Sequence, residues 1–371
     1  MCTLLDPTSI AEQQSSFQAA VSALASSVGL EDSFRLQALS GGANNRVYCL
    51  EKAGPRALLK SYFRHPDDPR DRLASEFAFL RFAWNRGVRC VPEPLAFDAE
   101  HGLGLYEFIP GTAIVANEIE STDVDQAAQL FVELNNHGAD PLAGQLPVAS
   151  EACFSLESHA QQVNRRVQRL QSESRAKDPD INRFIQQELP GTSQHVEAAL
   201  REQANLRHLS WDAVLAPAER CLSPSDFGFH NALRRPAGRL CFLDFEYAGW
   251  DDPAKMICDF FCQPAVPLPP KWRCCFIESV TTPFSDKQKL LERVQLLLPL
   301  YYVKWCCIVL NTCLPEGRAR RSFAGAVSQT AADREAGMLE RARQLLERVT
   351  TPLVEPGEDV FLGKERIWER C

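Results

Sequence analysis

Three oxygen-bearing side chains, Asp226, Asn231 and Asp244, lie close together in the second half of the chain. A predicted β-hairpin separates Asn231 from Asp244. Carboxylate and amide oxygens suit Mg²⁺, which keeps several waters and takes its remaining ligands from substrate phosphates. Phosphoryl transfer also needs a carboxylate that accepts the hydroxyl proton. We therefore predict Asp226 as the catalytic base and Asn231 and Asp244 as metal ligands; the alternative is that Asp226 and Asn231 only order a turn.

Upstream in the sequence, a lysine can supply the cation that such a reaction requires, and a glutamate can hold that lysine in place. Lys60 follows the apolar residues 57–59 at the end of a predicted strand, and Glu76 lies on the helix predicted after it. An ammonium in this position would neutralise the α- and β-phosphates, and the glutamate would hold it in one rotamer. The alternative for any such pair is a surface salt bridge of little consequence.

The spacing of apolar residues and turns divides the chain into a strand-rich part and a helix-rich part. Residues 1–33 are predicted to form a helical lead-in. Strands are predicted at 35–39, 46–51, 57–62, 94–97 and 104–108, with a helix at 71–86 and a later β-hairpin at 232–245. The rest is mainly helical, with helices predicted at 123–138, 150–175, 180–205, 285–312 and 330–349. This predicts a two-lobed α+β fold: a small antiparallel sheet with one crossing helix over 34–111, and a mainly helical lobe over 112–371.

The motif Asp-x4-Asn, followed by a strand and Leu-Asp-Phe-Glu-Tyr-Ala-Gly, resembles the Brenner-type loop and metal-binding motif of aminoglycoside phosphotransferases and choline kinases. The segment 243–262 is particularly similar to the choline and ethanolamine kinase version. The resemblance extends over residues 36–262. It implies a protein-kinase-like fold that uses ATP and Mg²⁺, with a nucleotide-binding N-lobe and a catalytic, acceptor-binding C-lobe. It also implies that Lys60 is the phosphate-binding lysine and that Glu76 is its partner.

Two further segments take nucleotide-binding roles by the same resemblance. Ser40, Gly41 and Gly42 occupy the position of the turn that covers the nucleotide, where glycines let backbone N–H groups approach phosphate. A plain hairpin turn would have the same sequence. Glu107, Phe108 and Ile109 lie where the interlobe hinge of the family offers backbone groups to adenine.

The catalytic loop departs from the family pattern. The family has His-Gly immediately before the catalytic aspartate, whereas this chain has Pro224 and Ser225. His230 lies nearby at a different offset, and we expect a packed or exposed loop histidine. This departure motivates an alternative function, a nucleotide-binding pseudokinase that acts as a scaffold.

The charge of the acceptor stays open. Glu246, Trp250 and Asp251 follow the metal aspartate and form an acidic and aromatic cluster that suits a cationic amine. The alternative is that Asp252 caps the next helix while Trp250 packs beneath it. Two arginine clusters would suit an anionic acceptor such as a sugar phosphate or a lipid head group, unless they are solvated helix faces: Arg165, Arg166 and Arg169, and Arg318, Arg320 and Arg321.

Bulk properties exclude several other classes. A formal net charge of -8 argues against a nonspecific nucleic-acid binder. The start of the chain lacks the pattern of a signal peptide, so the 14 cysteines are expected to be reduced thiols in a cytoplasmic protein. The apolar stretch 296–310 is too short to span a bilayer. The sequence thus predicts an ATP-dependent, Mg²⁺-requiring kinase of a small hydroxylated metabolite (an amino alcohol, an aminoglycoside-like amine or a sugar), and it leaves the oligomeric state undetermined.

Overall fold

The computed structural model describes residues 7–30, 34–39, 45–51, 56–65, 68, 70–136, 140–324 and 331–350. The first lobe is an antiparallel sheet of five strands in the order β1-β2-β3-β5-β4, flanked by two helices. Its elements are α1 (Pro7–Ser27), β1 (Arg35–Leu39), β2 (Arg46–Glu51), β3 (Arg56–Ser61), α2 (Arg72–Asn85), β4 (Pro94–Asp98) and β5 (Leu103–Glu107).

Side chains that point to one face of the central strands form the core of this lobe. Ala57 and Leu59 on β3 point to one face of the sheet, where they pack with Leu105 against Val21 and Leu24 of α1. The predicted helical lead-in is therefore part of the lobe. On the crossing helix, α2, the side chain of Asp71 accepts a hydrogen bond from the backbone N–H of Ala74 and defines the first turn.

The second lobe is mainly helical and carries short strands beside the connection between the lobes. Its elements are β6 (Thr112–Ala113), α3 (Ser121–Asn136), α4 (Leu156–Glu173), α5 (Pro179–Arg183), α6 (Leu189–Leu206), β7 (Cys221–Ser223), β8 (Ala232–Arg234), β9 (Leu240–Phe242), β10 (Gly249–Asp251), α7 (Pro253–Cys262), α8 (Arg273–Val280), α9 (Lys287–Val309), α10 (Pro315–Ala324) and α11 (Ala331–Thr350). A π-helical turn at Phe184–Glu188 joins α5 to α6.

Helix α9 is the centre of this lobe. It packs against α4, α6, α7 and α11. By length and composition Lys287–Cys313 is the one helix among the described residues that is apolar enough to cross a bilayer, yet most of it is buried within the protein. This position is the one expected of a core helix.

Backbone pairing holds the start of the second lobe, just after the connection between the lobes, against the β8–β9 hairpin. Strand β6, just after the connection, pairs with β8 of the β8–β9 hairpin. At Gly111 a Cβ atom would lie 2.8 Å from the carbonyl oxygen of Arg234, so this approach requires glycine. Farther along, α10 reaches back to the first lobe, where Arg46 Nε donates to the carbonyl oxygen of Phe323 at 2.7 Å.

The predicted two-lobed α+β architecture is confirmed, and the strand boundaries on β1 and β2 agree with prediction. The second strand of the hairpin is shorter than predicted, ending at Phe242 instead of residue 245. The reason is that Asp244 adopts φ = 67°, which a β-strand does not allow. Strands β6, β7 and β10 and helices α8 and α10 were not predicted.

A buried histidine joins three helices of the second lobe. His159 on α4 lies with Nε2 3.0 Å from Oδ2 of Asp252 and Nδ1 2.8 Å from the hydroxyl of Tyr301. Asp252 also caps α7, because its Oδ1 accepts a hydrogen bond from the N–H of Ala254 at 2.7 Å. Burial lowers the pKa of His159 to about 4 despite the neighbouring carboxylate.

This depressed pKa predicts acid sensitivity. The ordinary pKa of histidine in an unfolded chain is about 6.5. Between pH 6.5 and about 4 this histidine is protonated in the unfolded state but neutral in the native state. The free energy of unfolding therefore falls as the pH falls, by about 3 kcal/mol in total. The free energy of unfolding, measured with urea at a series of pH values in this range, should depend less steeply on pH in His159→Gln than in the wild type. The difference in slope should correspond to about one proton. His195 is exposed on α6, so His195→Gln is the control; equal slopes in wild type and His159→Gln would refute the assignment.

Candidate functional site

The amine of Lys60 lies at the centre of the cleft between the lobes. Lys60 is the penultimate residue of β3, and its Nζ lies 2.7 Å from Oε2 of Glu76 and 2.5 Å from Oδ1 of Asp244. Glu246 Oε2 is 3.8 Å away. Burial lowers the pKa of Lys60, but the charges of Asp244, Glu76 and Glu246 outweigh it and raise the pKa well above its ordinary value. Lys60 is therefore held as a cation in a buried position.

Glu76 holds this arrangement together from α2. Besides Lys60, its Oε2 accepts a hydrogen bond from the hydroxyl of Tyr62 at 2.5 Å, and its Oε1 accepts one from the N–H of Phe245 at 3.1 Å. The first lobe thus contacts the backbone next to Asp244 directly. Burial and the charge of Glu76 raise the pKa of Tyr62 well above its ordinary value, so the phenol remains a donor.

Asp226 stands in a loop directly after β7, and the residue before it is strained. Ser225 adopts φ = 71°, the left-handed region that favours glycine. The family pattern has glycine at this position, and serine there costs on the order of 1–3 kcal/mol. The hydroxyl of Ser223 accepts the N–H of Ser225 at 3.0 Å and stabilises the turn.

His230 contacts the predicted base, and this was not expected. Its Nε2 lies 3.1 Å from Oδ1 of Asp226, and its ring meets the edge of Trp305 at 6.5 Å between centroids. Burial raises the pKa of Asp226, but hydrogen bonding and charge from His230, with Asn231 and Lys304 adding to them, lower it below its ordinary value. Asp226 is therefore a carboxylate at neutral pH.

Asn231 and Asp244 are brought together by the β8–β9 hairpin. The carbonyl oxygen of Asn231 accepts the N–H of Leu243 at 2.7 Å, which aligns the catalytic loop with the start of residues 243–248, called here the metal loop. The amide nitrogen of Asn231 donates to the carbonyl oxygen of Asp226 at 2.8 Å, so its amide oxygen is the atom suited to a metal. Asp226 and Asp244 are each about one third exposed, with side-chain accessibilities of 32%.

The donor set fits a hard divalent cation. Glu76, Asp244 and Glu246 each offer a carboxylate oxygen, and these atoms lie within 4.8 Å of one another. Glu76 and Glu246 are buried and bonded to protein groups, so Asp244 is the member of this set that faces the cleft. Oxygen-only donors of this kind suit Mg²⁺.

Of the two segments predicted to contact the nucleotide, the structure describes only the second. Ser40, Gly41 and Gly42 lie outside the described residues. Glu107 ends β5, where its N–H donates to the carbonyl oxygen of Glu93 at 2.8 Å. Phe108 and Ile109 follow in the connection between β5 and β6, and the guanidinium of Arg56 lies 4.4 Å from the Phe108 ring centroid. The three hinge residues are therefore located between the lobes.

The structure places two of the three predicted acceptor residues, Glu246 and Asp251, in buried positions. The carboxylate of Asp251 is fully buried and lies 2.8 Å from Nζ of Lys255, so it cannot meet a substrate. Trp250 donates from its indole nitrogen to the carbonyl oxygen of Ala143 at 2.9 Å and packs within the second lobe. Glu246 is also fully buried, in the Lys60 cluster. All three residues follow Asp244 closely in sequence, but strand β10 buries Asp251 and leaves Trp250 partly exposed.

Several polar residues of the site carry no signal that predicts their roles from the sequence. Asn45 donates from Nδ2 to Oε2 of Glu246 at 2.6 Å and accepts the N–H of Phe63 at 3.0 Å, so it joins the first lobe to the metal loop. Tyr62 was passed over as an ordinary strand residue. For His230 the sequence predicts only a packed or exposed loop histidine. The signal that would have found Tyr62 is its placement two residues after Lys60, which puts both side chains on one face of the strand.

Comparison with solved structures shows the same fold at low sequence identity. An ethanolamine kinase of Plasmodium vivax matches with a TM-score of 0.57 and 14% identity, covering 86% of this chain and 83% of that one. A choline kinase of Streptococcus pneumoniae matches with a TM-score of 0.55 and 14% identity, covering 90% and 99%. A spectinomycin phosphotransferase, solved in complex with ADP and spectinomycin, matches with a TM-score of 0.57 and 12% identity, covering 88% and 98%.

Sequence comparison agrees with the fold. A search of curated proteins gives no significant match. The model of the phosphotransferase enzyme family matches residues 35–265, which include Lys60, Glu76, Asp226 and Asp244 and make up more than half of the 371-residue chain. The resemblance to aminoglycoside phosphotransferases and choline kinases is thereby confirmed, and this chain belongs to the phosphotransferase enzyme family.

Proposed function

We propose that this protein is an ATP-dependent, Mg²⁺-requiring kinase that transfers the γ-phosphate of ATP to a hydroxyl group of a small metabolite. One observation carries the proposal: the ammonium of Lys60 from the first lobe lies 2.5 Å from the carboxylate of Asp244 in the second. A phosphate-neutralising cation and a metal-binding carboxylate are thus next to each other in the cleft, beside the loop that carries Asp226.

Asp226 is suited to be the base. The acceptor oxygen attacks the γ-phosphorus, the bond between that phosphorus and the β-γ bridging oxygen breaks, and ADP leaves. The acceptor proton passes to the carboxylate of Asp226. His230 at 3.1 Å orients this carboxylate and keeps its pKa low, so that it is ionised before the acceptor binds. A loosely bonded transition state needs positioning of this kind more than a strong base.

The remaining groups hold the phosphates and the metal. Mg²⁺, held by Asp244 and Asn231, would neutralise negative charge on the phosphates. Lys60 binds the α- and β-phosphates, and Glu76 with Tyr62 keeps its ammonium in one position. The hinge at Glu107, Phe108 and Ile109 is assigned to adenine.

The direct test is ADP release from ATP and Mg²⁺ with a panel of hydroxylated metabolites. We expect release that depends on the acceptor, and a loss of about 100- to 10,000-fold in kcat in Asp226→Ala, because general-base catalysis contributes that much. Nucleotide binding without turnover across the whole panel would instead favour a pseudokinase scaffold.

Asp244→Asn tests the metal assignment. The substitution preserves shape but removes the charge that Mg²⁺ requires, so Mg²⁺-dependent turnover should fall at least about 100-fold while thermal unfolding stays that of a folded protein. Asp212 is exposed, and Asp212→Asn is the control for loss of a carboxylate. Turnover like that of the wild type in Asp244→Asn would remove Asp244 from the mechanism.

Lys60→Ala tests the phosphate contact. Loss of the ammonium should lower kcat/KM for ATP by about 100-fold, because a charged group aimed at the phosphates is removed, and should leave KM for the acceptor nearly unchanged. Steady-state kinetics with each substrate varied in turn separates the two effects. An unchanged kcat/KM for ATP would contradict the role of Lys60.

A further inference from the structure

Helix α10 is anchored in the second lobe and reaches the first. It follows the 3₁₀ turn at Leu310–Cys313 that comes after α9. A Cβ atom at Gly317 would collide with the carbonyl oxygen of Asn311, so the helix lies directly against this turn. The guanidinium of Arg318 donates to the carbonyl oxygen of Arg175, just after α4. These contacts fix the start of α10 to the second lobe.

One face of α10 is tied to both lobes. Glu316, Arg320 and Phe323 are spaced at i, i+4 and i+7 and therefore share a face of this ten-residue helix. Glu316 pairs with Arg169 of α4, in the second lobe, at 2.7 Å. Arg320 Nη2 lies 3.5 Å from Oδ2 of Asp68, in the first lobe. The helix thus bridges the two lobes.

Phe323, one residue before the end of α10, contacts two side chains of the first lobe. Its ring meets that of Phe63 edge to face, with 5.5 Å between centroids. The guanidinium of Arg46, the first residue of β2, lies 4.4 Å from the centroid of the same ring. Nε of Arg46 also donates to the carbonyl oxygen of Phe323 at 2.7 Å. An aromatic pair, a cation–π contact and a hydrogen bond therefore meet at one residue.

Asn45 extends this contact to the metal loop. It precedes Arg46 in the chain, and its Oδ1 accepts the N–H of Phe63 at 3.0 Å. Its Nδ2 donates to Oε2 of Glu246 at 2.6 Å. Asn45 is 3% exposed, and a buried amide that loses a partner is costly. A shift of Arg46 and Phe63 away from the second lobe would therefore strain the bond to Glu246.

The part of the first lobe that α10 contacts also carries the phosphate-binding lysine. In the pairing of β2 with β3, Arg46 lies opposite Ser61, the residue after Lys60. Asn45 directly follows the predicted turn that covers the nucleotide. Since the strands are joined by hydrogen bonds, contact at Arg46 also restrains the position of Lys60 relative to Asp244.

A tie outside the reaction centre is needed when nucleotide binds. At the centre of the cleft the lobes are joined by the bond of Lys60 to Asp244 at 2.5 Å. The proposed function uses these same two side chains for phosphate and metal, so their direct bond is given up as the nucleotide enters. Contacts that the nucleotide does not use, such as those of Phe323, are left to hold the lobes together.

We propose that α10 is an interlobe strap, and that Phe323 and Arg46 are positioning residues for nucleotide binding that act through Asn45. The proposal takes the identity of the nucleotide from the proposed kinase function, but it does not depend on turnover. A nucleotide that contacts both lobes loses apparent affinity in proportion to the fraction of molecules whose lobes are apart. The competing account is that α10 only stabilises the fold.

Binding of ADP with Mg²⁺, measured by titration calorimetry on the full chain, tests the strap without turnover. The Kd should rise about tenfold in Phe323→Ala and in Arg46→Met, because contacts of this kind change an equilibrium constant by about that factor. The double variant should bind about as weakly as either single variant, since both remove one contact. Arg46 is exposed and Phe323 half-buried, so these variants should fold. Affinity like that of the wild type in both would overturn the proposal.

Two further variants serve as controls. Phe97 is a phenylalanine of β4 in the same lobe, 48% exposed and packed on Phe77 with 4.7 Å between centroids. Phe97→Ala should bind ADP as the wild type does, and Phe323→Tyr, which keeps the ring, should do so as well. Weakening in Phe97→Ala equal to that in Phe323→Ala would attribute the effect to general loss of stability and contradict the strap.

Hydrogen exchange separates a strap from a mere stabiliser. The N–H of Phe245 donates to Oε1 of Glu76 across the lobes at 3.1 Å, so its exchange rate reports their separation. In Phe323→Ala this rate should rise about tenfold, while the amides of α7, within the second lobe, exchange as in the wild type. Equal acceleration at both places, with a lower unfolding temperature, would support the stabilising account instead.

Kinetics distinguishes failure of the strap from failure of the kinase function. With an acceptor that supports ADP release, KM for ATP should rise about tenfold in Phe323→Ala, and KM for the acceptor should stay nearly unchanged. Turnover together with wild-type ADP binding in both variants would overturn the strap alone. Absence of release with every acceptor, with ADP binding weakened in both variants, would overturn the kinase function and leave the strap. Absence of ADP binding to the wild type would overturn both.

Discussion

The ammonium of Lys60, surrounded by Glu76, Asp244 and Glu246, is the interaction on which the geometry of the cleft depends. A buried charge is stable only when it is paired and hydrogen-bonded. Here the partners come from α2 and from the metal loop of the other lobe, so satisfying one cation aligns strand β3, the crossing helix and the second lobe. The hydrogen bond from the N–H of Phe245 to Glu76 extends this alignment to the backbone.

Backbone strain is concentrated at the two carboxylates of the site. Ser225, next to Asp226, and Asp244 itself both have positive φ, at 71° and 67°. Such conformations persist when surrounding contacts over-determine them, and they cluster at functional sites. The contacts are present here: Ser223 stabilises the first turn, and Lys60 holds the second. Serine adopts this left-handed conformation in place of the glycine of the family pattern, and His230 contacts Asp226 although the histidine that precedes the aspartate in that pattern is missing.

Charge pairing in the interior is not visible in the sequence, which left the charge of the acceptor open. Asp251 resembles part of a site for a cationic amine when it is read along the chain, yet Lys255 pairs with it in the interior. The arginines of α4 and α10 resemble solvated helix faces when they are read in the same way. Arg320 instead pairs with Asp68 of the first lobe. Local sequence gives the sign of each charge but not which charges cancel.

The sequence by itself determined the two-lobed α+β fold, most strand positions, and the roles proposed for Lys60, Glu76, Asp226, Asn231 and Asp244. This was possible because strands, helices and turns are encoded by neighbouring residues: by alternating apolar and polar residues, by apolar residues at helical spacing and by turn-forming residues. The residues of the metal motif are also nearly contiguous in the sequence. Only the tertiary structure decided that Asp251 is buried, that His230 reaches Asp226 and that three arginines converge on Asp68. Those contacts depend on where α10, β10 and the catalytic loop pack, and packing joins residues far apart in sequence whose spacing carries no signal.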